Sequence, residues 1–286
     1  MGFIRKLFFL FAFFLVSWLG IYAYNQVTDG FSVRQMTSSL PACPQYEVEI
    51  SPEKSACLQA MLDQTFHYIG KGCQFYVFAS ADDKLVIKFL KHKHLRPFTW
   101  LNALPMPQKL RQLCDAKIER RKQRVERLFS SCKLAYEKIP EETGLLSIHL
   151  NRTPALNKQI VLIDKLGCKH LVEIDDYEYV IQKKAVLVKD VFAHIEESEV
   201  LGKVQLLVDL VLSRCQKGIC DRDRSFVQNV AFSPQEDKAL FIDIGQFYED
   251  SAICLEESQA QDLAKRLGNL RSWTERHFPQ LAPHIP

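Results

Sequence analysis

The hydrophobic pattern of the chain begins with one uninterrupted apolar run. Leu7 to Tyr24 contains 18 residues without a charge, directly after Arg5 and Lys6. Eighteen helical residues span roughly 27 Å, which matches the hydrocarbon core of a bilayer. The run therefore predicts an uncleaved N-terminal transmembrane helix. A cleaved signal peptide is the alternative, although no small-x-small cleavage site follows the run.

The residues on either side of this run set the expected topology and domain boundaries. The two basic residues before it favour a single-pass protein whose N-terminus lies in the cytoplasm. Residues 1–24 would then form the membrane anchor, 25–50 a polar juxtamembrane linker, and 51–286 one globular domain. The membrane is thus the first expected partner, through residues 7–24.

Beyond the linker, the pattern changes between strand-like and helix-like periods. Two apolar runs of strand length flank a glycine pair at 70–72, and a third carries Lys88. Residues 108–138 repeat apolar positions near a 3.6-residue period, which predicts a long helix. Three strands, a buried helix, an acidic loop, a short strand and a helix over roughly 255–278 follow. This order predicts an α+β fold in which a β-rich lobe with one long helix precedes a helical lobe.

Composition narrows the range of partners. Apolar residues make up 47% of the chain and charged residues 25%, which is typical of a globular protein with a core. The net charge of +3 is too small to favour nucleic acid. The predicted long helix nevertheless has a basic face within 109–127, which suits an acidic partner or lipid headgroups, while a solvated face accounts for it as well. The basic positions are Lys109, Arg111, Lys117, Arg120, Arg121, Lys122, Arg124 and Arg127.

Candidate chemistry is concentrated in the stretch GICDRDRSFVQNVAF, residues 218–232, and in ALFIDIG just after it. Asp221, Asp223 and Asn229 lie in one loop, and Asp243 closes the next apolar run. The runs VAF and ALFIDIG can pair as a hairpin, which would bring Asn229 and Asp243 together. Oxygen ligands of this kind suit Mg²⁺ bound with phosphate oxygens. A solvated turn in which aspartates cap the backbone is the alternative.

Two features nearer the N-terminus suit a phosphate. Gly70 and Gly72 lie in a predicted turn between strands, where the missing Cβ lets backbone N–H groups approach an anion. Lys88 is a charge within an apolar strand, so its ammonium needs a partner if it is buried. A phosphate and a carboxylate from the long helix, where Glu119 and Glu126 share a face, would serve. Alternatively, Lys88 lies in an edge strand and extends its amine to water.

Taken together, these residues resemble the protein-kinase-like superfamily over residues 65–250. The superfamily has a Gly-rich loop, a Lys on the third strand, a Glu on a helix, an Asp followed by an Asn, and an Asp-x-Gly. With its anchor and the stretch ETGLLSIHLN, the chain is also similar to kinase-like proteins of intracellular bacteria such as the chlamydiae. The matching positions are Gly70 and Gly72, Lys88, Glu126 or Glu119, Asp223 and Asn229, and Asp243 with Ile244 and Gly245.

The resemblance implies ATP and Mg²⁺ as cofactors. Gly70 and Gly72 would cover the phosphates of ATP, and Lys88 would hold the α- and β-phosphates. Glu126, which lies nearer the following strand than Glu119, would orient Lys88.

The acidic loop would supply the catalytic base and the metal ligands. The resemblance implies that Asp223 accepts the proton of the attacking hydroxyl, while Asn229 and Asp243 hold magnesium. The base remains open between Asp223 and Asp221, because the superfamily places it five residues before the Asn, whereas these lie six and eight before Asn229.

Other departures from the superfamily pattern bear on activity and substrate. Phe75 replaces the third glycine of the loop, Cys220 and Asp221 stand where His-Arg-Asp is usual, and Ile244 replaces the Phe of Asp-Phe-Gly. No Ala-Pro-Glu segment follows Gly245. The lobe that normally docks a peptide is thus expected to be reduced, which favours a small-molecule acceptor or a partner-supplied surface.

Three interpretations follow from the sequence. The first is a membrane-anchored kinase-like protein that binds ATP with Mg²⁺ and transfers a phosphoryl group to a protein or small-molecule hydroxyl. The second is a catalytically inactive pseudokinase or interaction module of the same fold. The third is an unrelated α+β scaffold, which a structure without convergence of Lys88, Asn229 and Asp243 would support.

Overall fold

The computed structural model describes residues 2–92 and 107–285. Three helices precede the first three strands, the remaining helices and strands follow in mixed order, and short 3₁₀ turns join some of them. The helices are α1 (Gly2–Thr28), α2 (Val33–Met36), α3 (Pro52–Met61), α4 (Gln108–Lys138), α5 (Pro140–Thr143), α6 (Val188–Phe192), α7 (Glu197–Gln216), α8 (Phe226–Asn229) and α9 (Glu256–His277). The strands are β1 (Thr65–Lys71), β2 (Phe75–Ser80), β3 (Leu85–Leu90), β4 (Leu145–His149), β5 (Gln159–Ile163), β6 (Lys169–Glu173), β7 (Tyr179–Lys183), β8 (Val186–Leu187), β9 (Ile219–Asp221), β10 (Val230–Phe232), β11 (Ala239–Phe241) and β12 (Phe247–Glu249).

Seven strands form one sheet in the order β4-β7-β3-β2-β1-β5-β6. Neighbouring strands are antiparallel except for β1 and β5, which run parallel. The central strands β2 and β3 are buried along most of their length, as their aromatic and β-branched residues favour. The α+β fold with a β-rich lobe is therefore confirmed.

The predicted third strand of the middle region divides into β6 and β7. A 3₁₀ turn at Ile174–Asp176 separates them. The Asp175 carboxylate accepts hydrogen bonds from the backbone N–H groups of Ala155, Leu156 and Asn157, which draws this acid out of the strand path. A local side-chain-to-backbone contact of this kind competes with strand pairing.

The long helix predicted over 108–138 is confirmed as α4, and its two halves have different environments. The second half packs on the inner face of the sheet through Leu128, Phe129, Cys132 and Ala135, all of which are buried. The first half is mostly exposed, and Leu113 is 68% exposed. Only the second half of α4 therefore fixes the helix against the strands.

Residues 25–50, expected to be a polar juxtamembrane linker, contribute buried side chains to both sides of the sheet. Phe31 and Met36 are buried on its outer face beside Leu58 of α3 and Leu62, which follows that helix. Phe31 contacts the rings of Tyr76 and Phe78 edge to face, each with 5.3 Å between ring centroids. Tyr46 packs instead on the inner side, against Phe129 of α4, with 5.2 Å between ring centroids. The segment thus belongs to the folded core, although its isolated apolar residues show no periodic pattern in the sequence.

The C-terminal part combines α7 and α9 with two small sheets. The expected hairpin is confirmed, since β10 and β11 pair with Val230 opposite Phe241, and β8 joins their other edge. Strands β9 and β12 form the second small sheet. Buried side chains of α7 and α9 extend the core that also lies beneath α4 and the inner face of the large sheet.

Among the described helices, one is long and apolar enough to cross a membrane. It covers Arg5–Thr28 and has a mean hydropathy of 2.0, and no residue of its apolar run is buried within the protein, whereas Thr28 at its end is. A signal sequence meets the same criteria, so the anchoring role is taken up below as a proposal.

Candidate functional site

A cavity of about 350 Å³ lies between the large sheet and the β10–β11 hairpin. Five residues that the sequence singled out line it together: Gly70, Gly72, Lys88, Asn229 and Asp243. Gly70 lies in β1, Gly72 in the turn after it, and Lys88 in β3. Asn229 ends α8, and Asp243 lies two residues after β11. The fold thus brings positions more than 150 residues apart to one concave site.

The β1–β2 hairpin forms one wall of the cavity through its glycines. The strand register shifts between Tyr68 and Gly70, which marks a bulge, and the Gly72 N–H donates to the Phe75 carbonyl at 2.9 Å. A Cβ added at Gly70 or Gly72 would meet no atom within 4 Å. The space that these glycines leave free is therefore open cavity, where a backbone can approach a ligand closely.

Lys88 extends from β3 into the cavity. Its Nζ donates to the carbonyl oxygen of Ile242 at 2.6 Å. Burial lowers the pKa of the Lys88 ammonium to about 8, although the nearby Asp243 carboxylate raises it. A desolvated amine that faces one carboxylate is suited to an anionic ligand, which would restore its charge.

The β10–β11 hairpin places the two candidate metal ligands side by side. The Ile242 N–H donates to the Asn229 carbonyl at 2.9 Å, so Asn229 and Asp243 flank the same end of the hairpin. Within the described residues, no group of three or more His, Cys, Asp or Glu side chains could hold a metal. One carboxylate and one amide oxygen fit Mg²⁺ when phosphate and water oxygens complete its shell.

The Asp-Ile-Gly segment is held in place by a serine that the sequence analysis missed. Ser131 of α4 donates through Oγ to the Ile244 carbonyl at 2.5 Å and accepts from the Phe247 N–H at 2.6 Å. A Cβ at Gly245 would press on Gln74 Oε1 and lie 3.1 Å from Leu128 Cδ1. Glycine at 245 therefore permits a close approach to Leu128 of α4 and to the flexible end of the Gln74 side chain.

The two candidate bases have different environments, and neither is among the residues that line the cavity. Asp221 is ion-paired with Arg266, with 3.1 Å between Oδ2 and Nη1. Burial raises the pKa of Asp221, while Arg266 lowers it. Asp223 is only partly buried, and its carboxylate accepts the Ser225 N–H at 2.8 Å. Asp221 is thus committed to a structural ion pair, and Asp223 is the more accessible of the two.

A second missed residue, Arg266 of α9, anchors this acidic loop. Its guanidinium also bonds the backbone carbonyls of Asp221 and Asp223 at 2.9 and 3.2 Å. It further pairs with Asp262 at 2.7 Å, and Asp262 in turn contacts the fully buried Arg214 of α7. The loop is therefore fixed to both long helices of the C-terminal part.

The helix glutamates do not reach Lys88. Glu126 and Glu119 are exposed on α4, and Glu119 accepts a hydrogen bond from Gln123. An α4 residue that lies near Lys88 is the buried Cys132, whose thiol stays neutral because burial raises its pKa. The sequence offered no signal for this, because a cysteine in an apolar helix face is indistinguishable from ordinary core.

Comparison with known proteins yields structural matches alone. No protein-family model matches the chain, and no curated protein matches it. Among solved structures, the chain is similar to WbdD, which is described as a bifunctional kinase-methyltransferase. The sequence identity is 15% and the TM-score is 0.38, and the match covers 71% of this chain and 37% of that one. It is also similar to Rv3197 of Mycobacterium tuberculosis, solved with erythromycin, with 14% identity and a TM-score of 0.35, over 80% of this chain and 59% of that one.

A third similar structure is the ADP-bound aminoglycoside phosphotransferase APH(2'')-Ib. Identity is 8% and the TM-score 0.33, over 82% of this chain and 90% of that one. Two of the three proteins are thus described as a kinase or phosphotransferase, the class that the sequence resemblance names. The chain spans just over a third of WbdD, and all three TM-scores lie below 0.5. The functional assignment therefore rests on the geometry of the site.

Proposed function

We propose that the chain is a divergent member of the protein-kinase-like superfamily that binds ATP with Mg²⁺ and transfers its γ-phosphoryl group to a hydroxyl. One observation carries the proposal: Gly70, Gly72, Lys88, Asn229 and Asp243 line a single cavity. In an unrelated scaffold, residues so far apart in the sequence would have no reason to meet in one cavity. They would also have no reason to follow one another along the chain in the order of the superfamily motifs.

The cavity has a polar end and an apolar end, as a nucleotide requires. Val77, Val86, Val180 and Leu187 line its apolar part, which suits the flat face of a purine. The connection after β7, residues 184–185, also lines the cavity and would offer backbone hydrogen-bonding groups to the edge of the base.

The polar end would hold the phosphates and the metal. Lys88 would neutralise phosphate oxygens, and the backbone at Gly70 and Gly72 would lie over them. Asn229 and Asp243 would hold Mg²⁺, which supplies charge neutralisation on the transferring group. Asp223, whose carboxylate is the more accessible of the two candidates, would take the proton of the attacking hydroxyl.

We also propose that α1 anchors this domain to a membrane as a single-pass helix. Its length and hydropathy, and the absence of burial along the apolar run 7–24, support this placement. The positive charges at its start favour a cytoplasmic N-terminus.

A second candidate function is a non-catalytic nucleotide-binding or interaction module. The exposed position of Glu126 favours it, because Lys88 then lacks the helix carboxylate that active members of the superfamily use. In this candidate, the cavity binds nucleotide without transfer.

Phosphate release from γ-labelled ATP by the full chain in detergent micelles separates the candidates. The active enzyme is expected to release phosphate or label itself only with Mg²⁺, and Asp223→Asn should lower the rate by about 10²-fold or more. Asp221→Asn serves as the comparison for the alternative base. Nucleotide binding without turnover supports the non-catalytic module, whereas the absence of nucleotide binding contradicts both candidates.

A further inference from the structure

A second cavity, of about 470 Å³, adjoins the nucleotide cavity on the side of the helical part. Helices α6, α8 and α9 enclose it, and Gln228 lines both cavities. Its volume lies within the roughly 300–1,000 Å³ typical of small-molecule sites. A ligand here would lie beside the phosphate end of the proposed nucleotide site, where Asn229 follows Gln228.

The second cavity is strongly basic. Lys189, Arg224 and Arg276 line it from α6, the loop before α8 and α9, and no Asp or Glu is among its lining residues in the described part of the chain. None of the ion pairs found among the described residues uses these three side chains. Three unneutralised cations around one concave surface attract an anion.

The floor of the cavity is aromatic. Trp273 is partly exposed into it and contacts the Phe192 ring edge to face, with 5.2 Å between ring centroids. Phe192, Phe226 and Leu270 are buried beneath the surface and keep the floor rigid. A ring or other flat apolar group can pack on Trp273 while the cations hold an acidic group.

The candidate base lies at the border of this cavity. Asp223 Oδ1 accepts the backbone N–H of Ser225, and Ser225 lines the cavity. Arg266 fixes the Asp223 backbone from α9, a helix that also lines the second cavity.

We propose that the second cavity binds the phosphoryl acceptor, and that the acceptor is a small molecule with an anionic group, a flat apolar part and a free hydroxyl. This proposal rests on the function proposed above. The acceptor hydroxyl oxygen forms a bond to the γ-phosphorus, and the bond from that phosphorus to the β–γ bridging oxygen breaks. ADP leaves with the bridging oxygen, and the hydroxyl proton passes to Asp223 and then to solvent.

The binding test uses phenyl phosphate as the anionic probe and benzyl alcohol as its neutral counterpart. Calorimetric titration of the full chain in detergent, with ADP and Mg²⁺ at saturating concentration, should give saturable 1:1 binding of phenyl phosphate. Replacing two cations in Arg224→Gln/Arg276→Gln should weaken that binding by about tenfold or more, because charge-assisted contacts are lost. Arg271→Gln removes an arginine from the same helix outside the cavity and should leave the affinity within about twofold.

Three results would overturn the proposal: no saturable binding of phenyl phosphate, equal affinity in wild type and the double variant, or equally tight binding of benzyl alcohol. ATP binding is titrated separately on the same wild-type preparation. A protein that binds ATP but not phenyl phosphate would thus refute the acceptor assignment alone, while one that fails to bind ATP would refute the proposed function.

A second arm identifies the source of the anion. The full chain is placed in nanodiscs of phosphatidylcholine, with or without phosphatidylglycerol. If phosphatidylglycerol weakens the apparent affinity for phenyl phosphate, a lipid headgroup occupies the anionic site and the small-molecule acceptor is refuted. An unchanged affinity supports a soluble anionic acceptor.

Discussion

The protonation state of Lys88 should change when the proposed nucleotide binds. Its pKa is about 8 in the ligand-free protein because burial disfavours the ammonium more than Asp243 supports it. Nearby phosphate oxygens would favour the ammonium and raise this pKa. Above about pH 8, where Lys88 of the nucleotide-free protein is largely deprotonated, nucleotide binding would then be accompanied by the uptake of a proton.

We therefore predict a characteristic pH dependence of ATP affinity. Affinity should be nearly constant below about pH 8 and should fall above it, by up to about tenfold per pH unit for one linked proton. Calorimetry in buffers of different ionisation enthalpy measures the proton uptake directly. Lys88→Arg keeps its charge and should lose this slope. A wild-type affinity that stays flat through pH 9.5 would show that Lys88 does not contact the phosphates.

Glu126 gives a second residue-scale prediction, since the structure and the superfamily pattern differ there. Glu126 is exposed, whereas the α4 residue found near Lys88 is the buried, neutral Cys132. Glu126→Gln should therefore leave ATP affinity and the unfolding free energy unchanged within about 0.5 kcal/mol. Equilibrium dialysis and urea unfolding measure the two quantities. A loss of ATP binding in Glu126→Gln would indicate that α4 rotates or shifts when nucleotide binds.

Some site residues could be identified from the sequence and others could not. Asn229 and Asp243 were predictable together because a short hairpin joins them, and Lys88 stood out as a charge within an apolar strand. Ser131 contacts a backbone carbonyl 113 residues away in the sequence. Arg266 contacts two backbone carbonyls that are 43 and 45 residues away. No local pattern encodes such contacts, so only the folded chain identifies them.

At the scale of elements, the cluster of Arg266, Asp221 and Asp262 joins the acidic loop to α9. Arg266 is 5% exposed, and its two carboxylate partners are also largely buried. Arg266→Met would leave Asp221 without its ion-pair partner and Asp262 paired with Arg214 alone, and breaking a buried ion pair in this way costs about 3–5 kcal/mol. Urea unfolding should show a loss of this size.

Arg271 of the same helix is the matched control for that variant. It forms an exposed pair with Glu275 four residues on, with 3.5 Å between the paired atoms. Arg271→Met should change the unfolding free energy by less than about 0.5 kcal/mol. Equal, small effects of both substitutions would mean that the loop is not held through Arg266.

Some elements could be predicted from the sequence and others could not, and the difference has a physical cause. Helix α4 and the β10–β11 hairpin followed from periodicity and from a turn between two apolar runs. The packing of residues 28–50 did not, because Phe31 and Met36 are isolated apolar residues without a period. Their burial depends on a sheet face that forms from residues 65–90 and 159–181.

At the scale of the whole molecule, the end of α1 is connected to the glycine turn. Asp29, just after α1, pairs with Lys71 and Lys165, and Lys71 lies between the two cavity glycines. Tyr76 of β2 donates to the Gly30 carbonyl at 2.7 Å. The proposed anchor is thus followed by residues that belong to the folded domain, not by a free tether.

We predict that the full chain is an integral membrane protein whose N-terminus is not removed. It should resist extraction with alkaline carbonate, and its intact mass should include residues 1–24. Deleting residues 5–24 should release the protein to the soluble fraction with little change in its unfolding midpoint, because none of those residues is buried within the protein. A mature protein that lacks these residues would instead identify a signal peptide.

Calorimetric titration of the full chain in detergent with ATP, with and without Mg²⁺, tests directly whether this cavity binds a nucleotide. We predict one ATP per chain, tighter binding with Mg²⁺, and loss of binding in Lys88→Ala. In Asp243→Ala the dependence on Mg²⁺ should disappear, because that carboxylate is a proposed ligand of the metal. A well-folded wild-type protein that binds no ATP, or binds it equally well in all variants, would contradict the assignment of this cavity as a nucleotide site.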